Sequence, residues 1–131
     1  MSSIFTKIIN NEIPSYKVSE DDNFLAFLDV FPLAYGHVLV IPKKETDNIF
    51  DLDSDECIGL WNFAKQVAIA MDKVLVCERI GVAVIGLEVP HVHIHLVPIN
   101  GVSDINFDKP KMNFSLDKMR EVAEKIRQSL S

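Results

Sequence analysis

Three of the four histidines fall within nine residues, Pro90-His91-Val92-His93-Ile94-His95-Leu96-Val97-Pro98. Polar and apolar residues alternate there, which is the pattern of an extended strand with successive side chains on opposite faces. His91, His93 and His95 then share one face, roughly 6.5–7 Å apart. Val92, Ile94 and Leu96 turn the other way, into a core. Three imidazoles so close are not all charged at neutral pH, so some rings should be neutral, with lone pairs free for attack or for accepting a proton. Neutral imidazoles also bind metals, and His-x-His on a strand suits zinc. Against that reading, no cysteine lies near the strand and the only nearby carboxylate is Glu88. A surface strand that merely carries histidines is the remaining alternative. Strict alternation of three out of four histidines argues against it.

The rest of the chain must position these rings. Ile4, Phe5, Ile8 and Ile9 have helical spacing, and Pro14 follows the end of that short helix. Residues 16–19 and 24–29 read as strands around the polar turn Glu20-Asp21-Asp22-Asn23. His37-Val38-Leu39-Val40-Ile41 is a third strand, stopped by Pro42. A long helix begins after Asp53 or Ser54, with Glu56 completing a capping box. Its expected core stripe is Cys57, Leu60, Trp61, Ala64, Val67, Ala68, Met71, Val74 and Leu75. Phe63 lies off that stripe and Trp61 on it, which implies a second apolar surface that a partner copy would cover. Residues 79–85 and 91–99 are two more strands joined by the turn Gly86 to Pro90, and so antiparallel neighbours. After an irregular stretch from Gly101 to Asn113, Ser115 caps a last amphipathic helix. The expected fold is α+β: an antiparallel sheet of about five strands, one long helix, and short N- and C-terminal helices, in a single domain over residues 1–131.

Composition narrows the function. The 131 residues carry a net charge of −6, with 48% apolar and 24% charged residues. An acidic chain offers no general attraction to nucleic acid or an anionic membrane. Cys57 and Cys77 form no CxxC pair and suit a reducing compartment. The opening MSSIFTKIINNEIPS has no signal-peptide core, and no apolar run nears the ~20 residues of a membrane helix. A soluble cytoplasmic protein is expected.

The segment HVHIHLV resembles the signature of the histidine triad (HIT) family, His-φ-His-φ-His-φ-φ with φ apolar. SSIFTKIINNEIPSYKVSEDDNFLAFLDVFP, GHVLVIPKK and GLEVPHVHIHLVP resemble further blocks of the family in the same order, covering most of residues 3–98. The resemblance implies a homodimeric hydrolase or transferase acting on a purine nucleotide or nucleoside-phosphate conjugate, with no cofactor. Its bond would be a phosphoramidate, an acyl-adenylate or a dinucleoside polyphosphate linkage. His93 would attack the α-phosphorus to give a nucleotidyl-histidine, which water hydrolyses. His95 would contact the phosphate or leaving group, His91 would orient the nucleophile, and His37 would support that orientation. Asp29 matches a ribose-binding carboxylate. Phe27 and Val30 match the base pocket, and Phe5, Ile8 and Val18 are further candidates. Backbone amides of Gly86, Leu87, Glu88 and Val89 would hold phosphate oxygens.

Three departures stand out. Leu87 occupies the position where the family often has a glutamine, and the loop before the triad is short. Some members bind structural zinc through an N-terminal CxxC and a histidine after PKK. Here those positions hold Ser3, Thr6 and Glu45, so no such zinc is expected. A nucleotide-binding module with little turnover, and a metal-dependent hydrolase, are the competing readings.

Overall fold

The computed structural model describes residues 2–130. Its elements are α1 (Ile4–Ile9), β1 (Lys17–Glu20), β2 (Phe24–Leu28), β3 (Val38–Pro42), α2 (Ser54–Val74), β4 (Arg79–Ala83), β5 (Ile94–Ile99) and α3 (Leu116–Leu130). The strands form one antiparallel sheet in the order β1-β2-β3-β5-β4. The α+β arrangement is the expected one, and β4 and β5 are direct neighbours as the short Gly86 loop implied. The C-terminal helix follows Ser115 as expected and runs for 15 residues.

β2 and β3 are buried on both faces, which explains why they read as continuous apolar runs. Alternate residues divide between two apolar clusters. Val18, Ala26, Leu28, Val38, Val40, Ile94 and Leu96 pack against α2 and α3. Phe5, Ile8, Leu25, Phe27, Leu39 and Ile41 form the other cluster, beneath α1. The triad faces this second side.

Asp53 caps α2, accepting from the Glu56 N–H at 2.8 Å. The helix buries Leu60, Phe63, Ala64, Val67, Ala70 and Met71. This corrects the expected stripe. Steps of three and four from Leu60 run through Phe63 and Ala64, leaving Trp61 to one side. Phe63 packs on Phe24 with ring centroids 5.7 Å apart, while Trp61 is 40% exposed.

β5 is also shorter than expected: His91 and His93 precede its first residue, Ile94. The register pairs Val38 with Leu96 and Val40 with Ile94, so Pro42 falls opposite Val92. Proline has no N–H to extend the ladder. The Val92 N–H donates instead to the Thr46 carbonyl at 2.7 Å. The chain from 91 to 93 is thereby freed from the sheet.

Candidate active site

The carbonyl that Pro42 leaves unused is taken by His91, whose Nε2–H donates to it at 2.8 Å. A carbonyl can only accept, so the His91 proton sits on Nε2 and its Nδ1 accepts. The donor to Nδ1 is the Ser3 hydroxyl, at 2.7 Å. Ser3 also caps α1, accepting from the Thr6 N–H at 3.1 Å. Glu45 receives the Ser3 N–H at 2.6 Å and the Thr6 hydroxyl at 2.7 Å. Those bonds, the one from the Ser3 N–H foremost, hold the Glu45 carboxyl down at about 2. At the positions where the resemblance would put zinc ligands in some members, this chain has a hydrogen-bonded cluster that pins α1 to His91.

His91 in turn orients His93 through its backbone. The His93 Nδ1–H donates to the His91 carbonyl at 2.7 Å. This leaves Nε2 as the ring nitrogen with the lone pair. Burial pushes the His93 pKa below the usual imidazole value, so the ring is neutral at pH 7. The Phe5 ring stands edge-on to it at 5.0 Å.

A second chain of bonds sets His95. The Leu33 N–H donates to His37 Nδ1 at 3.0 Å, so the His37 proton lies on Nε2. That proton points at His95 Nδ1, 3.0 Å away. His95 therefore carries its own proton on Nε2, as a donor for a ligand. Burial, with His95 beside it, drives His37 down to about 3, and burial with His93 beside it drives His95 down to about 4. Asp29, just past β2, accepts from the Phe31 N–H at 2.9 Å, and burial raises its pKa. Asp29, His37 and His95 offer ligand atoms within 4.8 Å of one another. The bonds just described engage the two His37 nitrogens and His95 Nδ1, so a cation held by this group would have to displace them.

These side chains border a cavity of about 390 Å³. His93, His95, Asp29, Phe5, Ile8, Phe27 and Val30 line it, as do Gly86, Leu87, Glu88 and Val89. Gly86 has φ +75°, a left-handed conformation that a side chain would strain. Leu87 stands at the rim, 89% exposed. His37 and His91 lie behind the cavity wall, fully buried. Val18 is not brought to it: it sits on the opposite face of the sheet, in the core under the helices. Ser15, also in the lining, has a buried hydroxyl with no hydrogen-bond partner among the described residues.

Some participants had no local signature. Ser3 and Thr6 read only as residues standing in the place of cysteines, although Ser3 ahead of an apolar helix is an N-cap signal. Phe107, Asp108 and Lys111 also line the cavity, from a stretch with no periodicity to read. Phe107 stands edge-on to His95 with ring centroids 4.6 Å apart.

Comparison with known proteins agrees with this geometry. The sequence profile of the HIT domain matches residues 10–102. An uncharacterized HIT-like protein of Borreliella burgdorferi is 34% identical over 135 aligned positions, covering 97% of each chain. The adenosine 5'-monophosphoramidase hnt1 of Schizosaccharomyces pombe is 33% identical over 129, covering 96% of each. The crystal structure of a Hit-like protein from Bartonella henselae superimposes with a TM-score of 0.85 at 33% identity, covering 98% of this chain and 96% of that one. With His93 and His95 lining a cavity and His91 buried behind them, and with these relatives along its whole length, the chain belongs to the histidine triad family.

Proposed function

We propose that the protein hydrolyses a nucleoside-phosphate conjugate, a purine nucleotide joined through a P–N or P–O bond to a leaving group, by way of a nucleotidyl-histidine. The observation that carries this reading is His93: neutral, bonded at Nδ1 to the His91 carbonyl, and free at Nε2 beside the cavity. Nε2 attacks phosphorus. The bond to the leaving group breaks with its electron pair on the departing atom, which takes a proton from solvent. Water then displaces His93 from phosphorus, loses a proton and restores the neutral ring. The His91 carbonyl stabilises the positive charge that the ring carries in the intermediate. His95 Nε2–H donates to the phosphate or leaving atom.

Phe5, Ile8, Phe27 and Val30 supply an apolar seat for the base, and Asp29 accepts from the ribose hydroxyls. Backbone amides of residues 86–89 hold phosphate oxygens at the Gly86 turn. The named activity of the fission yeast relative supports a phosphoramidate bond. The protein acts as a homodimer in this reading. Ile58, Trp61 and Ile69 on α2, and Val82 on the edge strand β4, leave apolar surface uncovered.

A second reading is a binding module of low turnover. Leu87 favours it, since it puts an apolar side chain where many family members have an amide. Mixing the protein with adenosine 5'-phosphoramidate radiolabelled at phosphorus, and quenching within one turnover, separates the two. The hydrolase reading expects label on the protein that is lost in His93→Ala, while the variant keeps AMP affinity within about tenfold, or ~1.4 kcal/mol. Unlabelled wild-type protein that binds AMP would favour the module.

A further inference from the structure

A row of rings lines the cavity. Phe5 to His93 is 5.0 Å between centroids, His93 to His95 is 4.9 Å, and His95 to Phe107 is 4.6 Å. The row ends at Lys111, whose ammonium lies 5.8 Å from the centre of the Phe107 ring. The end nearest Phe5 is apolar. The far end is built by the stretch between the Val102–Asp104 turn and α3, beyond the residues 10–102 that the HIT profile matches.

That stretch is anchored. The Met112 N–H donates to the Pro32 carbonyl at 2.8 Å, tying it to the loop that follows Asp29. Phe114 packs edge-on against Tyr35 at 5.4 Å. The Lys111 ammonium donates to the Phe107 carbonyl and, at 3.4 Å, to the Lys109 carbonyl. Two of its three protons are thus used to hold it in place, and one remains for a ligand.

Among the described residues lining the cavity, Lys111 alone bears a fixed positive charge, against the carboxylates of Asp29, Glu88 and Asp108. Its field reaches Asp29, His37 and His95 and disfavours a proton on each. His93 instead feels Glu88. Along the row, His95 and Phe107 stand between His93 and Lys111.

Attack by His93 expels the leaving group on the side of phosphorus away from Nε2. With the base at the Phe5 end, as proposed above, that side would face His95, Phe107 and Lys111 at the other end of the row. We propose that Lys111 determines leaving-group specificity, selecting conjugates whose departing half carries an anionic group, a carboxylate or a phosphate. This rests on the hydrolase reading for the orientation of the ligand. It adds that the partner of the nucleotide is an acidic amine rather than a neutral or basic one. Phe107 forms the flat apolar wall between the reacting atom and that anion.

The test uses three conjugates of adenosine 5'-phosphate joined through nitrogen: to glycine, to glycinamide and to 2-aminoethyl phosphate. Dissociation constants are measured on His93→Ala, so that binding is read without turnover. At low salt we expect at least one anionic conjugate to bind about tenfold more tightly than the glycinamide conjugate. The better of the two names the anion. The preference should shrink as salt rises. Adding Lys111→Met should bring the three constants to within about twofold of one another, and Lys111→Arg should keep the preference. Because each ratio is taken on one protein, a change in its folded fraction cancels. Equal affinities in the parent, or a preference that survives Lys111→Met, would overturn the proposal. Wild-type protein that hydrolyses none of the three would overturn the hydrolase reading instead, leaving the affinity ratios to judge Lys111 on their own.

Discussion

His37 decides which nitrogen of His95 carries a proton. Its Nδ1 is occupied by the Leu33 N–H, so Nε2–H is the donor to His95 Nδ1 at 3.0 Å. Replacing His37 by Phe removes that donor while filling the site with a ring. We expect kcat/KM on a phosphoramidate to fall about ten- to hundredfold, the cost of one buried hydrogen bond of about 1–3 kcal/mol. AMP affinity should change less. A folded variant with wild-type kcat/KM would show that the His95 proton is set in some other way.

Acid should act on rate and stability separately. His93 needs its lone pair, so kcat/KM falls as pH falls through its pKa, which burial holds below 6.5. The acid limb of the pH profile should therefore centre below pH 6.5. For stability, His37 and His95 lie at about 3 and about 4 in the fold against 6.5 unfolded. Between those values the unfolded chain binds protons that the native one refuses. The stabilisation is complete above pH 6.5 and is lost on acidification toward 4, by up to about 1.4 kcal/mol per pH unit for each ring. Urea midpoints that rise from pH 7 to pH 5 would contradict this.

Asp29 should distinguish sugars. If its carboxylate receives the 2'-hydroxyl, AMP binds more tightly than 2'-deoxy-AMP by about 1.5–3 kcal/mol, the worth of a hydrogen bond to a charged group. Asp29→Asn should narrow that gap. Calorimetry giving equal constants for AMP and 2'-deoxy-AMP would remove Asp29 from the ribose site.

Leu87 stands at the rim with its side chain in solvent. A glutamine there needs no core rearrangement and supplies an amide donor near the phosphate. Leu87→Gln should raise kcat/KM on adenosine 5'-phosphoramidate roughly tenfold, against the ~2.7–4 kcal/mol that a well-aimed donor can contribute. An unchanged value would mean that the loop holds residue 87 out of reach.

The proposed homodimer would cover the exposed apolar residues of α2 and β4. Sedimentation at micromolar concentration should give twice the 14.8 kDa chain mass, and Trp61→Glu should shift the balance toward monomer. A wild-type monomer would reject the assembly.

Alternation made the triad legible, because three polar rings on one face of an apolar run have little other use. The same rule misjudged where the strand begins. Residues 91–93 look like strand, but whether they pair depends on what lies opposite, and that is Pro42, some fifty positions earlier. Helix periodicity located α2 yet rotated it, since Trp61 and Phe63 are both large aromatics and the core that takes Phe63, Phe24 included, comes from distant strands. The placement of Phe107 and Lys111 rests on long-range anchors such as the Pro32 carbonyl, which no local pattern records.

Pro42 has a wider consequence. Sheet and catalytic machinery compete here for the same backbone atoms, and one imino acid settles the contest. An N–H at position 42 would let the ladder zip onward to Val92, recruiting the carbonyl that now steers His91 and pulling Val92 off Thr46. The two ladder bonds so made would replace the two that now hold His91 and Val92, leaving the count of hydrogen bonds unchanged while the side chain of His91 lost its anchor. The orientation of the triad is thus set by where the backbone bonds go rather than by how many there are.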